Sequence, residues 1–343
     1  KFGLYSNDEP VFETSVVHAP EDLASFGSTF AQLDYRKSLV LEALSERQVE
    51  LSALAATVGR GGTFKSLESG TYEVNDKLLD DIREGSTLQA DHPSNLGAPL
   101  AWSIAGPLGI PSYFVDPVCV DEMIDEARLS GHPLLPRLSL SHALNIRMVA
   151  YKLASKLGRP LPELNLIVLH LGSGVSVNAI RAGRMIDTNN ANDGGPFSAQ
   201  RVGSLPTTGL VRLCTSGEHT HADLKKMLLK KGGLMAYLGT DDAAEALRRA
   251  QEEGDLKADL VMRAMVYQFA KEAGGMAAAL KGKVDAIAVT GGMAYNDWIV
   301  ERLDDSLSFI APVHAFPGEC ELEALVRGVL RVMDGLEQPG VYS

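Results

Sequence analysis

Cysteine is scarce. Three residues, Cys119, Cys214 and Cys320, stand in a chain of 343, odd in number and in no CxxC spacing. That usage argues against a disulfide framework or a zinc site and for a reducing compartment. Long apolar runs are missing too: none reaches the length of a transmembrane helix, and no signal-peptide pattern is present. A cytoplasmic location with no membrane contact is therefore expected. Basic residues are outnumbered, 32 Lys and Arg against 44 Asp and Glu for a net charge of -12. This argues against a nucleic-acid partner or an anionic membrane surface, so any anionic ligand must be held by a local concentration of donors. No Walker A sequence and no short-period repeat occur.

What is present is ordinary globular material, 45% hydrophobic and 22% charged, enough for two domains of roughly 150 residues each. The stretch from Leu164 to Pro206 organises the rest. An unbroken apolar run, Leu166 to Leu169, reads as a strand buried on both faces. The hinge Gly172-Ser173-Gly174 turns the chain into Val175 to Ala179, which alternates at period two as a returning strand. A turn at Arg181 to Arg184 leads to a third strand, Met185 to Thr188. From Asn189 to Leu205 periodicity disappears, and a loop of that length inside a compact domain points to function.

Before this stretch, Phe2–Tyr5 and Val11–Val17 pair around Asn7 to Pro10, and helices are expected at Tyr35–Gln48 and from Asn75 to Ile82. A strand at Leu54–Val58 delivers Gly59-Arg60-Gly61-Gly62. Ser94 caps a helix ending at Gly106, a short strand ends on Asp116, and Asp121–Ser130 is helical. A helix then runs to Leu157. After the central stretch come helices at Gly209–Cys214, Ala222–Lys230, Asp242–Glu253 and Leu256–Leu280. The strand Ala286–Thr290 meets Gly291-Gly292, a helix follows, and a strand at Phe309–Phe316 precedes a terminal helix, Glu321–Met333. Meanders alternating with helices predict an α/β chain of two related halves. The chain opens at Lys1 in mid-strand, so a short preceding segment is expected.

Glycines recur at strand ends (Gly59, Gly61, Gly62; Gly172, Gly174; Gly291, Gly292), where backbone N–H groups can approach a phosphate or simply form turns. A dinucleotide fingerprint should open a helix, whereas a strand follows Gly174. Arg60 and Arg201 are natural clamps for carboxylate or phosphoryl oxygens, or else solvated surface residues. His92, His142 and His170 sit beside strand ends or helix starts, although His170 also reads as a satisfied core residue. The pair His219 and His221 lies in a polar loop without a third ligand. Asp116 stands at a sheet's carboxyl edge, where magnesium is plausible. Glu319 and Glu321 open the last helix, where the helix dipole alone would favour acids.

Taken together, these residues resemble the acetate/butyrate kinase family, its butyrate kinase branch above all, over nearly the whole chain. The carrying motifs are His170 to Val177, Ile186 to Ala191, Gly195-Pro196-Phe197-Ser198 through Arg201 to Pro206, Gly291 to Ala294, Ser141 to Asn145, and Val58 to Gly62. The resemblance implies two similar α/β domains of the actin-like ATPase (ribonuclease H-like) fold flanking a nucleotide cleft. The first would be residues 1–118 completed by a C-terminal helix in 321–343, the second residues 119–320. It implies reversible transfer of the ATP γ-phosphoryl to a short-chain carboxylate with Mg²⁺, giving ADP and an acyl phosphate, in a homodimer.

By position, Arg60 and Arg201 would hold the carboxylate and the phosphoryl in flight. His142 would stabilise the equatorial oxygens with His92 in support, Asp116 would organise magnesium or the reacting carboxylate, and Glu321 and Glu319 would help hold the metal. His170, Gly172, Ser173, Gly174, Asp241, Gly291, Gly292 and Met293 would contact the nucleotide. Gly62, Ser141 and Pro196 would line the acyl pocket, the small Gly62 and Ser141 leaving room for a chain longer than acetate. The family's first phosphate turn should precede Lys1. Other short-chain acids, a nucleotide-gated binding protein of the same fold and a nicotinamide enzyme are the competing readings.

Overall fold

The computed structural model describes every residue except Ala90, and Pro20 by its backbone alone. The chain divides into two compact units, Lys1–Asp121 with Cys320–Ser343, and Glu122–Glu319.

The first unit holds two small sheets. Strands β1 (Phe2–Ser6) and β2 (Glu9–Thr14) form an antiparallel hairpin with an irregularity at Leu4/Tyr5. Strands β3 (Thr57–Arg60), β4 (Thr71–Glu73) and β5 (Ser112–Val115) form a second sheet in the order β3-β5-β4, with β5 parallel to β3 and antiparallel to β4. Helix Asp76–Glu84 starts where expected because Asn75 accepts the N–H of Leu78 at 3.0 Å, and it stops on left-handed Gly85. Gly97–Ala105 packs on β3 so closely that a Cβ on Gly59 would lie 2.0 Å from the Gly97 carbonyl oxygen. Of the C-terminal segment only Glu321–Met333 is helical; beyond it Gly340 bridges to Tyr72 and Tyr342 is buried.

The second unit is built on a five-stranded sheet in the order β10-β9-β6-β7-β8. Its strands are β6 (Asn165–Leu171), β7 (Val175–Arg181), β8 (Arg184–Thr188), β9 (Ala286–Gly291) and β10 (Val313–Pro317). Strands β10, β9 and β6 run parallel, while β6, β7 and β8 form the antiparallel meander. Alternate residues Ile167, Leu169 and Leu171 of β6 join Val177, Ala179, Ile287 and Val289 in the main apolar core, together with Met262, Met265 and Phe269 of helix Leu256–Ala279. The other face packs on helix Ala143–Leu157. That face is polar where β6, β7 and β9 approach the turn: His170 stands opposite Ser176 and Thr290, all three buried.

Several element boundaries differ from the sequence expectations, for identifiable reasons. The helix expected at Asp121–Ser130 shrinks to Asp125–Arg128. Its leading backbone is committed elsewhere: Asp121 N–H goes to Leu67 O at 2.8 Å and Ile124 N–H to Ile186 O at 3.0 Å. His92, not Ser94, caps the turn before Gly97, its Nδ1 accepting the Ser94 N–H at 3.3 Å. The third strand begins at Thr57 after a 3₁₀ turn at Leu51–Ala53, and the last begins at Val313 because exposed Phe309 lies beyond the end of helix Asp297–Leu307. An additional helix, Gly233–Leu238, opens on left-handed Gly233.

A buried ionic cluster ties the first unit together. Asp81, 2% exposed, receives Lys65 at 2.8 Å, Lys77 at 2.5 Å and the Tyr342 hydroxyl at 3.0 Å. Lys65 first, then Lys77, holds the Asp81 carboxyl down to about 2, and burial with the Asp81 contact pushes the Tyr342 phenol up. A depressed carboxylate stabilises the fold above its unfolded value of about 3.9, and that contribution is lost as pH falls. Tyr342→Phe is therefore expected to lower stability at pH 7 by about 1–2 kcal/mol. The deficit should shrink between pH 4 and pH 2 as Asp81 protonates. Urea unfolding of both proteins across that range checks it; a deficit independent of pH would contradict the pairing.

Candidate active site

Most of the glycines of the β3 strand end serve packing. A Cβ on Gly61 would sit 2.4 Å from Pro117 Cβ, and one on Gly62 2.2 Å from Asn95 Oδ1. Asn95 fills that space while accepting the Thr63 N–H at 2.8 Å and donating to Gln89 O at 2.9 Å. Gly62 thus has a packing reason to be glycine, separate from any acyl chain. Between them Arg60 extends its Nη1 to Glu321 Oε1 at 3.0 Å, so two of the expected site residues meet in the first unit. Both are partly exposed, and such a pair is weak and exchangeable. Asp116 is buried, with φ at +38°. It exchanges two hydrogen bonds with Gly70, whose N–H reaches Asp116 Oδ1 at 2.8 Å while the Asp116 N–H reaches Gly70 O at 3.0 Å. His92 has its Nδ1 engaged by Ser94.

The second unit gathers the larger group around the turn between β6 and β7. His142 and His170 stack with ring centroids 4.0 Å apart and 14° between planes. His142 Nδ1 meets Ser176 Oγ at 2.8 Å, and His170 Nδ1 meets Asn145 Nδ2 at 2.9 Å. Glu319 approaches His170 Nε2 at 3.8 Å. The core reading of His170 and the functional one are thus compatible: the ring is 2% exposed, yet it adjoins the turn.

Arg201 arrives from the long loop. Ser198, itself buried, holds this part of the loop by donating to Ser173 O at 2.6 Å and accepting the Arg201 N–H at 3.1 Å. At the loop's start, Asn189 takes the Val177 N–H at 2.6 Å and gives its amide to Val175 O at 2.9 Å. The guanidinium lies over Gly174, where a Cβ would be 2.2 Å from Nη1, and donates to Ala191 O at 3.1 Å. Among the described residues no carboxylate pairs with it. Burial draws its pKa below the usual guanidinium range.

Beside the turn lies a cavity of about 390 Å³, within the size range of small-molecule sites. Gly172, Ser173, Asp241, Gly292 and Met293 line it, together with Ala243, Tyr295 and Asn296. A Cβ on Gly292 would meet nothing within 4 Å, so a ligand can approach that backbone. Gly291, at φ +91°, is pressed on Leu171 O and serves the strand. Pro196 and Ser141 are buried, and the Ser141 hydroxyl has no hydrogen-bond partner among the described residues. The Asn178 amide, fully buried on β7, also lacks one there, and nothing in the structure explains it.

No three His, Cys, Asp or Glu side chains group as metal ligands among the described residues. Magnesium does not require such a cage, since it keeps waters and takes one or two carboxylates with substrate phosphates. Glu319, 44% exposed beside the turn, is a donor of that kind. Asn145, Ser176 and Ser198 lie within the family-like motifs, but residue type alone assigns them no role. The available signal was polar Ser176 and Asn178 alternating within an otherwise apolar strand, both of which prove fully buried.

An α/β unit of this sheet order, with a glycine turn over a nucleotide-sized cavity, has the actin-like ATPase fold. The chain aligns with the crystal structure of acetate kinase from Porphyromonas gingivalis at a TM-score of 0.75 and 20% identity, covering 88% of this chain and 84% of that one. Residues 139–310 match the model of the acetokinase family. The chain is 47% identical to probable butyrate kinase 2 of Caldanaerobacter subterraneus subsp. tengcongensis, over 100% of this chain and 96% of that protein. It is 44% identical to butyrate kinase 1 of Clostridium acetobutylicum with the same coverage. The chain belongs to the acetokinase family.

The two glycines that seat the Arg201 loop should differ sharply on substitution. Gly233→Ala places a Cβ 1.7 Å from the Ser198 carbonyl oxygen at φ +56°, a backbone clash. It is expected to cost about 1–3 kcal/mol or more. Gly174→Ala meets only the movable end of Arg201 and should cost less than half as much. Urea denaturation measures both; equal losses would contradict the assigned packing.

Proposed function

We propose that the chain phosphorylates short-chain carboxylates with ATP, butyrate and its close relatives above all, giving ADP and an acyl phosphate. The observation that carries the reading is Arg201, a partly buried guanidinium with no carboxylate partner among the described residues, at a glycine turn beside a nucleotide-sized cavity. The names and full-length similarity of the relatives support butyrate as the acceptor.

The chemistry needs little from the protein beyond charge and position. A carboxylate is already ionised at pH 7, so no general base has to create the nucleophile. Its oxygen attacks the γ-phosphorus, the bond to the β,γ-bridging oxygen breaks, and ADP leaves with that electron pair. Repulsion between two anions is the obstacle, and fixed cations and donors remove it. In the second unit the turn Gly172–Gly174 faces the phosphates with the N–H groups of Ser173 and Gly174, that of Gly172 being held by Gly174 O at 3.2 Å, and Gly292, Met293 and Asp241 hold the nucleoside end, with Gly291 behind them. Arg201 and His142 neutralise charge on the phosphoryl oxygens, and Pro196 and Ser141 border the acyl chain. In the first unit Arg60 takes the carboxylate, released from Glu321 when substrate binds, with His92 in support.

Magnesium, when bound with the nucleotide, supplies further neutralisation of phosphate oxygens. Glu319, Glu321 and Asp116 are the residues proposed to hold it. A homodimer in the cytoplasm completes the reading, supported by the family and by three cysteines that form no disulfide among the described residues.

Incubating the chain with Mg-ATP, hydroxylamine and a series of acids of about two to six carbons should give acyl hydroxamates, most readily from butyrate. No product from any acid would overturn the proposal. Arg201→Ala should retain nucleotide binding and lose roughly 10²–10³ in kcat; a protein that only binds nucleotide would have no such rate to lose.

A further inference from the structure

The hydrogen bonds behind the Gly172 turn have a direction that can be followed from one end. The Gly318 carbonyl oxygen can only accept. It takes the Gly291 N–H at 3.1 Å and the Thr290 hydroxyl at 3.1 Å. Thr290 Oγ1 has then used its single proton. The Asn145 atom 3.2 Å from it must therefore donate, which makes that atom the amide nitrogen Nδ2. The same NH₂ group lies 2.9 Å from His170 Nδ1. An amide NH₂ offers hydrogens and no lone pair to a neighbour. His170 Nδ1 consequently carries the lone pair, and the proton of the neutral ring sits on Nε2. That nitrogen is 3.8 Å from Glu319 Oε1 and 3.3 Å from where a Cβ on Gly172 would stand.

We propose that Asn145 is a positioning residue that locks His170 in the Nε2–H tautomer. The ring then presents a neutral N–H beside the turn to an oxygen of the nucleotide phosphates or of the phosphoryl group in transfer. This rests on the carboxylate kinase reading. The neighbouring histidine is wired differently. Ser176 Oγ, 2.8 Å from His142 Nδ1, can donate to that nitrogen when the ring is neutral and accept from it when the ring is charged. With the rings stacked 4.0 Å apart, two positive charges would repel. The two rings thus differ in their partners: a hydroxyl that can donate or accept at His142, an amide group that can only donate at His170.

Asparagine 145 is 3% exposed and closely surrounded, so the informative change is isosteric. Asn145→Asp replaces the donor to His170 by an acceptor. The ¹⁵N resonances of His170 in the labelled full chain, assigned by their loss in His170→Gln, report each ring nitrogen directly. Wild type should show Nε2 protonated and Nδ1 bare, whereas N145D should show Nδ1 protonated. In N145D kcat should fall roughly 10–100-fold with the carboxylate KM unchanged, and the shifted ring proton separates this from a mere loss of folded protein, which would lower apparent kcat without moving the tautomer. Thr290→Val, which removes the acceptor that orients the amide, should yield a mixture of tautomers and serves if N145D does not fold. A wild-type ring protonated at Nδ1, or variants with tautomer and kcat unaltered, overturns the proposal. The resonances do not depend on turnover: an Nε2–H ring in a chain that makes no acyl phosphate would leave the tautomer standing and remove the kinase reading.

Discussion

Polar side chains sealed into a sheet face have to find partners inside the protein, because water cannot reach them. In the second unit this requirement sets the geometry around the Gly172–Gly174 turn. Asn145, Thr290 and the Gly318 carbonyl pair with one another and with His170, Ser176 serves His142, and Ser198 ties the Arg201 loop to Ser173. Each of these groups has few alternatives, so each holds its neighbour to one orientation. The apolar core on the opposite face, built on Ile167, Leu169 and Val177, supplies the rigid support. The result is a turn whose backbone donors and adjacent rings are set before any ligand arrives, which is what electrostatic catalysis requires.

The first unit meets a different constraint. Gly59 and Gly97 let a strand and a helix share space that side chains would deny, and Gly61 and Gly62 yield to Pro117 and Asn95. Arg60 is the residue among these glycines whose side chain extends to an acid, Glu321. The proposed carboxylate contact would exchange one anionic partner for another, a small change in a partly exposed pair. The Asp81 cluster, by contrast, is buried and is structural in character.

Much of this was legible in sequence, and the failures have physical causes. The meander from Asn165 to Thr188 could be read because glycine turns bound its apolar strands, and helix Asp76–Glu84 because Asn75 and Gly85 mark its ends. Helix Asp125–Arg128 was overestimated because local periodicity does not report that Asp121 and Ile124 spend their N–H groups on distant carbonyls. His92 replaced Ser94 as a cap because either side chain can accept and only the bend of the chain decides. At the site, Arg201 and the glycine turns carried a signal through residue type. The roles of Asn145 and Ser176 did not, since a polar residue inside an apolar run shows only that some partner must exist. Gly62 illustrates the reverse: its size suggested room for substrate, whereas Asn95 occupies the space.

The same physics explains how a chain of net charge -12 can handle two anionic substrates. In the proposed mechanism attraction is local, delivered by a partly buried guanidinium, and no basic nucleophile has to be made. The central claim is that a carboxylate oxygen becomes bonded to phosphorus. The most direct test supplies butyrate labelled with ¹⁸O in both oxygens, Mg-ATP and hydroxylamine, and follows the released inorganic phosphate by ³¹P NMR. Hydroxylamine cleaves the acyl phosphate at the carbonyl carbon, so each phosphate should carry one ¹⁸O. Unlabelled phosphate, or label appearing in AMP, would contradict the account.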